Sequence, residues 1–134
     1  MNAPQRAARY AVNATSLPHS TVWQDIEDIA ATGGEGIGLW ERKLPDGADT
    51  QVAARMKEAG LSATFCVPAV HMVLPSQIDP PGAPQDIPTR LALISASIRR
   101  LSAFQPATVL IGPGASGDPE IGRASCRERV CSTV

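Results

Sequence analysis

Apolar residues along this chain follow two different rhythms. Four short and nearly continuous apolar runs, at residues 9–16, 36–41, 61–70 and 107–112, have the length of buried strands. Between them, apolar residues recur at helical intervals. Val22, Ile26, Ile29 and Ala30 make one such face, Val52, Ala53, Met56 and Ala59 a second, and Leu91, Ile94, Ile98 and Leu101 a third. On the first helix, Asp25, Glu27 and Asp28 are predicted to face water.

The boundaries carry matching signals. Thr21-Val-Trp-Gln24 fits a capping box, and Gly33-Gly34 supplies a left-handed stop. Asp46-Gly47 is a turn, Asp49 is placed to cap the second helix, and Gly60 closes it. Pro68 marks the end of the third strand, because a central strand needs the missing N–H. The stretch 71–85 holds Pro75, Pro80, Pro81 and Pro84 and is predicted to be an ordered surface loop without a helix. Asp86 can cap the third helix, with Pro88 in its first turn and Arg99 and Arg100 near the favourable negative end of its dipole.

The resulting order is β-α-β-α-β-α-β, with apolar rather than alternating strands, which predicts an α/β fold with a parallel sheet covered by helices. Successive strand starts near Arg9, Gly36 and Leu61 are 27 and 25 residues apart, a comfortable length for a βα unit. Two architectures accommodate this order: the N-terminal half of a (β/α)8 TIM barrel, or a small doubly wound parallel sheet. A whole barrel needs about 250 residues, so length alone favours the small sheet.

The C-terminal stretch changes that balance. Ile121-Gly-Arg-Ala-Ser-Cys-Arg-Glu-Arg-Val130 reads as an in-frame translation of a common short-read sequencing adapter. Residues 120–134 are therefore expected to be a non-native tail, residues 1–8 an N-terminal extension, and residues 9–119 the first four strands of a truncated barrel. On this expectation the half-barrel is the favoured architecture.

Setting the tail aside leaves nine basic and eleven acidic residues, a net charge of −2. That balance gives no electrostatic footprint for nucleic acid or an anionic membrane surface. Of the three cysteines only Cys66 remains, read as a small buried hydrophobe, which excludes a disulfide framework. The N-terminus has no apolar signal core and no stretch approaches a membrane span, so a cytoplasmic location is expected.

In parallel α/β folds the ligand site lies beyond the carboxyl ends of the strands. Those ends present Asn13, Trp40, Glu41 and His71, the candidate substrate-binding residues. An aromatic wall with amide, carboxylate and imidazole groups suits a small carbohydrate-like ligand, whose apolar ring face stacks while its hydroxyls take hydrogen bonds. Each residue has a plainer reading: Trp40 packing on a helix, Glu41 solvated within Glu41-Arg-Lys43, and His71 structural in its loop. His19 reads as an exposed loop residue and Trp23 as helix-to-sheet packing. The loop Gly112-Pro-Gly-Ala-Ser-Gly117 lacks the Gly-Lys-Ser/Thr ending of a P-loop and the spacing of a dinucleotide fingerprint. No cluster has metal-ligand spacing and no catalytic triad assembles.

Ala31-Thr-Gly-Gly34, Glu35-Gly-Ile-Gly-Leu-Trp40 and Met56-Lys-Glu-Ala-Gly-Leu-Ser62 resemble the opening of the sugar phosphate isomerase/epimerase family, xylose-isomerase-like TIM barrels that also include the endonuclease IV type of DNA repair enzyme. The resemblance spans residues 9–119. It implies a divalent-metal enzyme that moves a proton between carbons beside a carbonyl. Its metal set of Glu, Asp, His and Glu comes from later strands, so no metal ligand carries over and the catalytic residues are expected beyond Pro119. The truncated chain is thus expected to bind no metal and to be inactive. The DNA repair branch calls for histidines near strands three and four; His71 could stand for one, but Gly112-Pro113-Gly114 offers none. The remaining alternatives are a lyase or dehydratase on the same barrel, and a non-enzymatic small-molecule-binding module.

Overall fold

A computed structural model describes residues 9–114, and the strand–helix alternation read from the sequence is present in it. The first strand, β1 (Ala11–Asn13), is shorter than its apolar run. The Asn13 side chain accepts a hydrogen bond from the Thr15 N–H at 3.0 Å and turns Ala14–Ser16 into a 3-10 helix, ending the extended chain early. Helix α1 (Val22–Ala31) starts with the reciprocal Thr21–Gln24 capping box, and Gly33, at φ +81°, lets the chain leave it. Strand β2 (Gly36–Trp40) stops one residue early, because Glu41 opens a second 3-10 turn.

Helix α2 (Asp49–Glu58) departs from expectation at its start. Its cap is Ala48, with no side-chain hydrogen bond, while the Asp49 carboxylate is drawn to Arg100 at 2.7 and 2.9 Å. Strand β3 (Ser62–Val67) ends directly before Pro68. Helix α3 (Ile87–Leu101) is capped by Asp86, which accepts from the Thr89 N–H at 2.9 Å. Strand β4 keeps only Thr108–Val109 of its apolar run, and an isolated bridge then pairs Gly112 with Met72. The tail at 120–134, the extension at 1–8 and the glycine loop beyond Gly114 lie outside the described residues.

Two faces differ from their sequence reading. On α3 the buried positions are Arg90, Ile94, Ser97 and Leu101, whereas Leu91 and Ile98 are exposed. Arg90 turns that stripe, because its guanidinium finds buried partners that an apolar side chain would not need. On α1, Asp25 is fully buried rather than solvated, since Lys43 pairs with it at 2.6 Å and Ser20 also donates to it.

All strand pairs are parallel and the sheet order is β1-β2-β3-β4. A doubly wound sheet reverses its strand order at a switch point; this one does not. Val22, Ile26 and Ile29 of α1, Val52 and Met56 of α2, and Leu101 of α3 share one cluster with Ile37, Leu39, Ala63 and Cys66. The helices therefore cover one face, as in a barrel wall. The architecture is the α/β arrangement of a partial TIM barrel.

The other face is shaped by two glycines and a bulge. Alternation puts Gly36, Gly38 and Trp40 opposite Ile37 and Leu39. Pairing steps from Ile37–Ala63 to Gly38–Phe65, leaving Thr64 as the extra residue on β3. Thr64 and Phe65 thereby both press onto β2. A Cβ at Gly36 would lie 2.6 Å from Thr64 Cγ2, and one at Gly38 2.6 Å from the Phe65 ring, so only glycine fits at either position. Among the described residues, no helix is long and apolar enough to cross a membrane.

Candidate functional site

The carboxyl ends of β1, β2 and β3 meet along one rim, and each predicted residue stands on it. Asn13 ends β1 opposite Gly38, with its side-chain oxygen engaged by the Thr15 N–H. Trp40 ends β2 and is half-buried. The Arg42 guanidinium lies 5.1 Å above its ring, within the range of cation–π attraction. The indole Nε1 is buried with no hydrogen-bond partner among the described residues.

Glu41 turns inward. It is 8% exposed, one carboxylate oxygen accepts from the Ala69 N–H at 2.8 Å, and the other lies 3.7 Å from Arg100. This carboxylate ties the end of β2 to the end of β3 and to α3. Arg100 in turn binds Asp49, whose carboxyl it holds below the usual range by hydrogen bonding. The fate of Glu41-Arg-Lys43 as a whole differs from a solvated loop, because each of its three side chains finds a protein partner.

His71 sits just past β3 and is also only 8% exposed. Its carbonyl accepts from the Gly112 N–H at 2.8 Å, which docks it against the end of β4. Its Nδ1 is buried without a hydrogen-bond partner among the described residues. Burial first, and the Arg42 charge second, hold the imidazole below its ordinary pKa, against smaller opposing effects from Asp79 and the Pro68 carbonyl. A neutral imidazole offers one donor and one acceptor nitrogen. Trp40, Glu41 and His71 are thus gathered at adjacent strand ends, with Asn13 one strand away. His19 is exposed and Trp23 packs half-buried against the core.

Sequence reasoning missed the groups that hold this rim. Arg42 donates to the carbonyls of Ala69 and Ile78, both at 3.0 Å. Lys43 donates to Leu17, Ser20 and Asp25, fastening the β1–α1 loop to the turn after β2. Arg90 binds the β3–α3 loop. The one available signal was the spacing of Arg90, Ile94 and Leu101, which places a charge in line with a buried face.

Among the described residues, no three His, Cys, Asp or Glu side chains converge in a way that could hold a metal ion. The residues present do not fit a metal centre of their own. A cleft of about 240 Å3 lies at the opposite end of the strands, beside Arg9, Tyr10, Glu35 and Ser62. It brings together an exposed Arg9–Glu35 ion pair and Thr64, whose buried Oγ1 has no hydrogen-bond partner among the described residues; the rim, with an indole, a carboxylate and an imidazole, is the better candidate.

No protein-family model and no curated protein matches the chain. Among solved structures it is similar to a xylose isomerase domain protein from Alicyclobacillus acidocaldarius subsp. acidocaldarius, with a TM-score of 0.55 and 15% sequence identity. The match covers 87% of this chain and 41% of that one. This likeness is one of fold: the chain has a xylose-isomerase-like α/β architecture and spans well under half the length of its neighbour.

Proposed function

We propose that the rim is the sugar-binding wall of an isomerase or epimerase of the xylose-isomerase-like type, acting on a carbohydrate or carbohydrate phosphate. The observation that carries this reading is the pair of buried polar atoms, Trp40 Nε1 and His71 Nδ1, without hydrogen-bond partners among the described residues and at neighbouring strand ends. Buried polar groups are nearly always satisfied, so two exceptions on the face where such folds bind ligands point to a hydroxyl-bearing molecule. Trp40 supplies the ring surface, His71 a neutral donor–acceptor pair, and Asn13 a further polar contact. Glu41 serves by fixing Arg100 and the end of β3.

The chemistry in this reading is proton transfer between carbons beside a carbonyl. The divalent metal that the sequence resemblance implies would have to be held by residues outside those described. The described residues also supply no free carboxylate base on the rim, so the 134-residue chain is expected to bind sugar without turning it over.

Tryptophan fluorescence tests the binding. The chain has two tryptophans, so Trp23→Phe leaves Trp40 as the single reporter. Saturable quenching by a ketose, an aldose or their phosphates, weakened at least tenfold by His71→Ala, is the expected outcome. Absence of any saturable response across that panel would overturn the proposal.

A further inference from the structure

Residues 68–86 join β3 to α3 with no regular secondary structure and four prolines after Val73. The carbonyls of such a segment need partners from elsewhere in the fold. One side chain serves four of them. Arg90, in the first turns of α3, is fully buried. Its Nε donates to the carbonyls of Met72 and Val73, both at 3.1 Å, and its Nη1 to Pro84 at 2.9 Å. Its Nη2 reaches Met72 at 2.7 Å, Leu74 at 3.3 Å and the Asp79 carboxylate at 2.9 Å. A planar guanidinium carries five donors in a fixed fork and serves both ends of the loop at once; an ammonium has three, gathered on a single nitrogen.

His71 lies directly before the first of these carbonyls. On its other side, Arg42 holds Ala69, and from across the sheet Gly112 holds the His71 carbonyl itself. The backbone on both sides of the imidazole is therefore pinned by an arginine from a different element. We infer that Arg90 is a positioning residue of the rim, whose hydrogen bonds to residues 72–74 fix where the His71 imidazole stands. The importance of that position rests on the sugar-binding reading; the placement itself does not.

Four groups surround the imidazole electrostatically: Arg42 from the turn after β2, Asp79 within the loop, Arg90 from α3, and the Pro68 carbonyl. Because the chain has only two histidines, both imidazoles can be followed by NMR titration in one spectrum, with His19 as the internal reference. Arg90→Met removes both the charge and the fork. Arg90→Lys keeps the charge and loses the fork, and Ile94→Ala on the same buried face weakens α3 while removing none of the hydrogen bonds that Arg90 makes to the loop.

If Arg90 positions His71, Arg90→Lys as well as Arg90→Met moves the His71 titration up toward 6.5, while Ile94→Ala leaves it in place. Arg90→Lys titrating as the parent chain would mean that charge alone acts, and the inference fails. A shift in Ile94→Ala equal to that in Arg90→Lys would reduce the effect to general loosening and also overturn it. Should Arg90→Met not fold, Arg90→Lys and Ile94→Ala carry the test without it. Trp40 quenching by sugar, measured on the same proteins, separates the two ideas: no quenching in the parent chain sinks the sugar-binding reading and leaves the titration result standing.

Discussion

His71 is the residue whose environment has the clearest consequence for pH. Its folded pKa lies below the unfolded 6.5, with burial the leading cause, so the unfolded chain binds more protons as pH falls. Stability from this residue is complete above pH 6.5 and drains away below it. Asp79 and Asp49 are held below their ordinary 3.8 by Arg90 and Arg100 respectively, and their contributions are lost only as pH falls below that value. The two declines begin at different pH, near 6.5 for His71 and near 3.8 for the aspartates. Urea unfolding of His71→Gln as a function of pH is therefore expected to lose the decline that begins near 6.5 and keep the more acidic one. Cys66 makes the opposite case: burial, helped by the Glu41 charge, pushes its thiol up to about 11, as befits the small buried hydrophobe its sequence context predicts. What local sequence could not show was the burial of Asp25, Glu41 and Arg90. A charged residue reads as solvated until a partner far along the chain is known, and their partners lie on other elements.

Between elements, the ion pair of Asp25 and Lys43 is a buried tie. It joins α1 to the turn after β2, with side chains 0% and 7% exposed, and Ser20 and the Leu17 carbonyl complete the shell. Removing one member of such a pair strands a buried charge, at a cost of about 3–5 kcal/mol, whereas replacing both with apolar residues is often close to neutral. Lys43→Met is accordingly expected to lower the unfolding free energy by about 3–5 kcal/mol in urea titrations, and Asp25→Leu/Lys43→Met to recover much of the loss. Caps and stops were legible because they act within one turn: Thr21 with Gln24, Asp86 with Thr89, Gly33 after α1. Asp49 was misread as a cap for the converse reason. Its carboxylate had a better partner in Arg100, 51 residues away.

Across the molecule, the sheet ends at β4 among the described residues, which also leave the apolar surface there uncovered. Leu110 and Ile111 are 52% and 42% exposed, and Leu91 and Ile98 of α3 are exposed as well. An unpaired strand edge flanked by apolar side chains is a template for association. Sedimentation of the 134-residue chain should show concentration-dependent self-association, reduced by Leu110→Lys together with Ile111→Lys; a monodisperse parent chain would contradict this. The similar xylose isomerase domain protein is more than twice as long, and the match covers 41% of its length. Hydrophobic periodicity was enough to read the four strands, the three helices, their order and the rim to which Asn13, Trp40 and His71 belong, because strand and helix repeats and carboxyl-end placement are properties of neighbouring residues. The unreversed strand order, the bulge that brings Thr64 and Phe65 onto Gly36 and Gly38, and the arginines that grip the β3–α3 loop emerged only on folding. Each depends on contacts between residues distant in the chain, and no local pattern encodes which distant partner a buried charge or a strand edge will find.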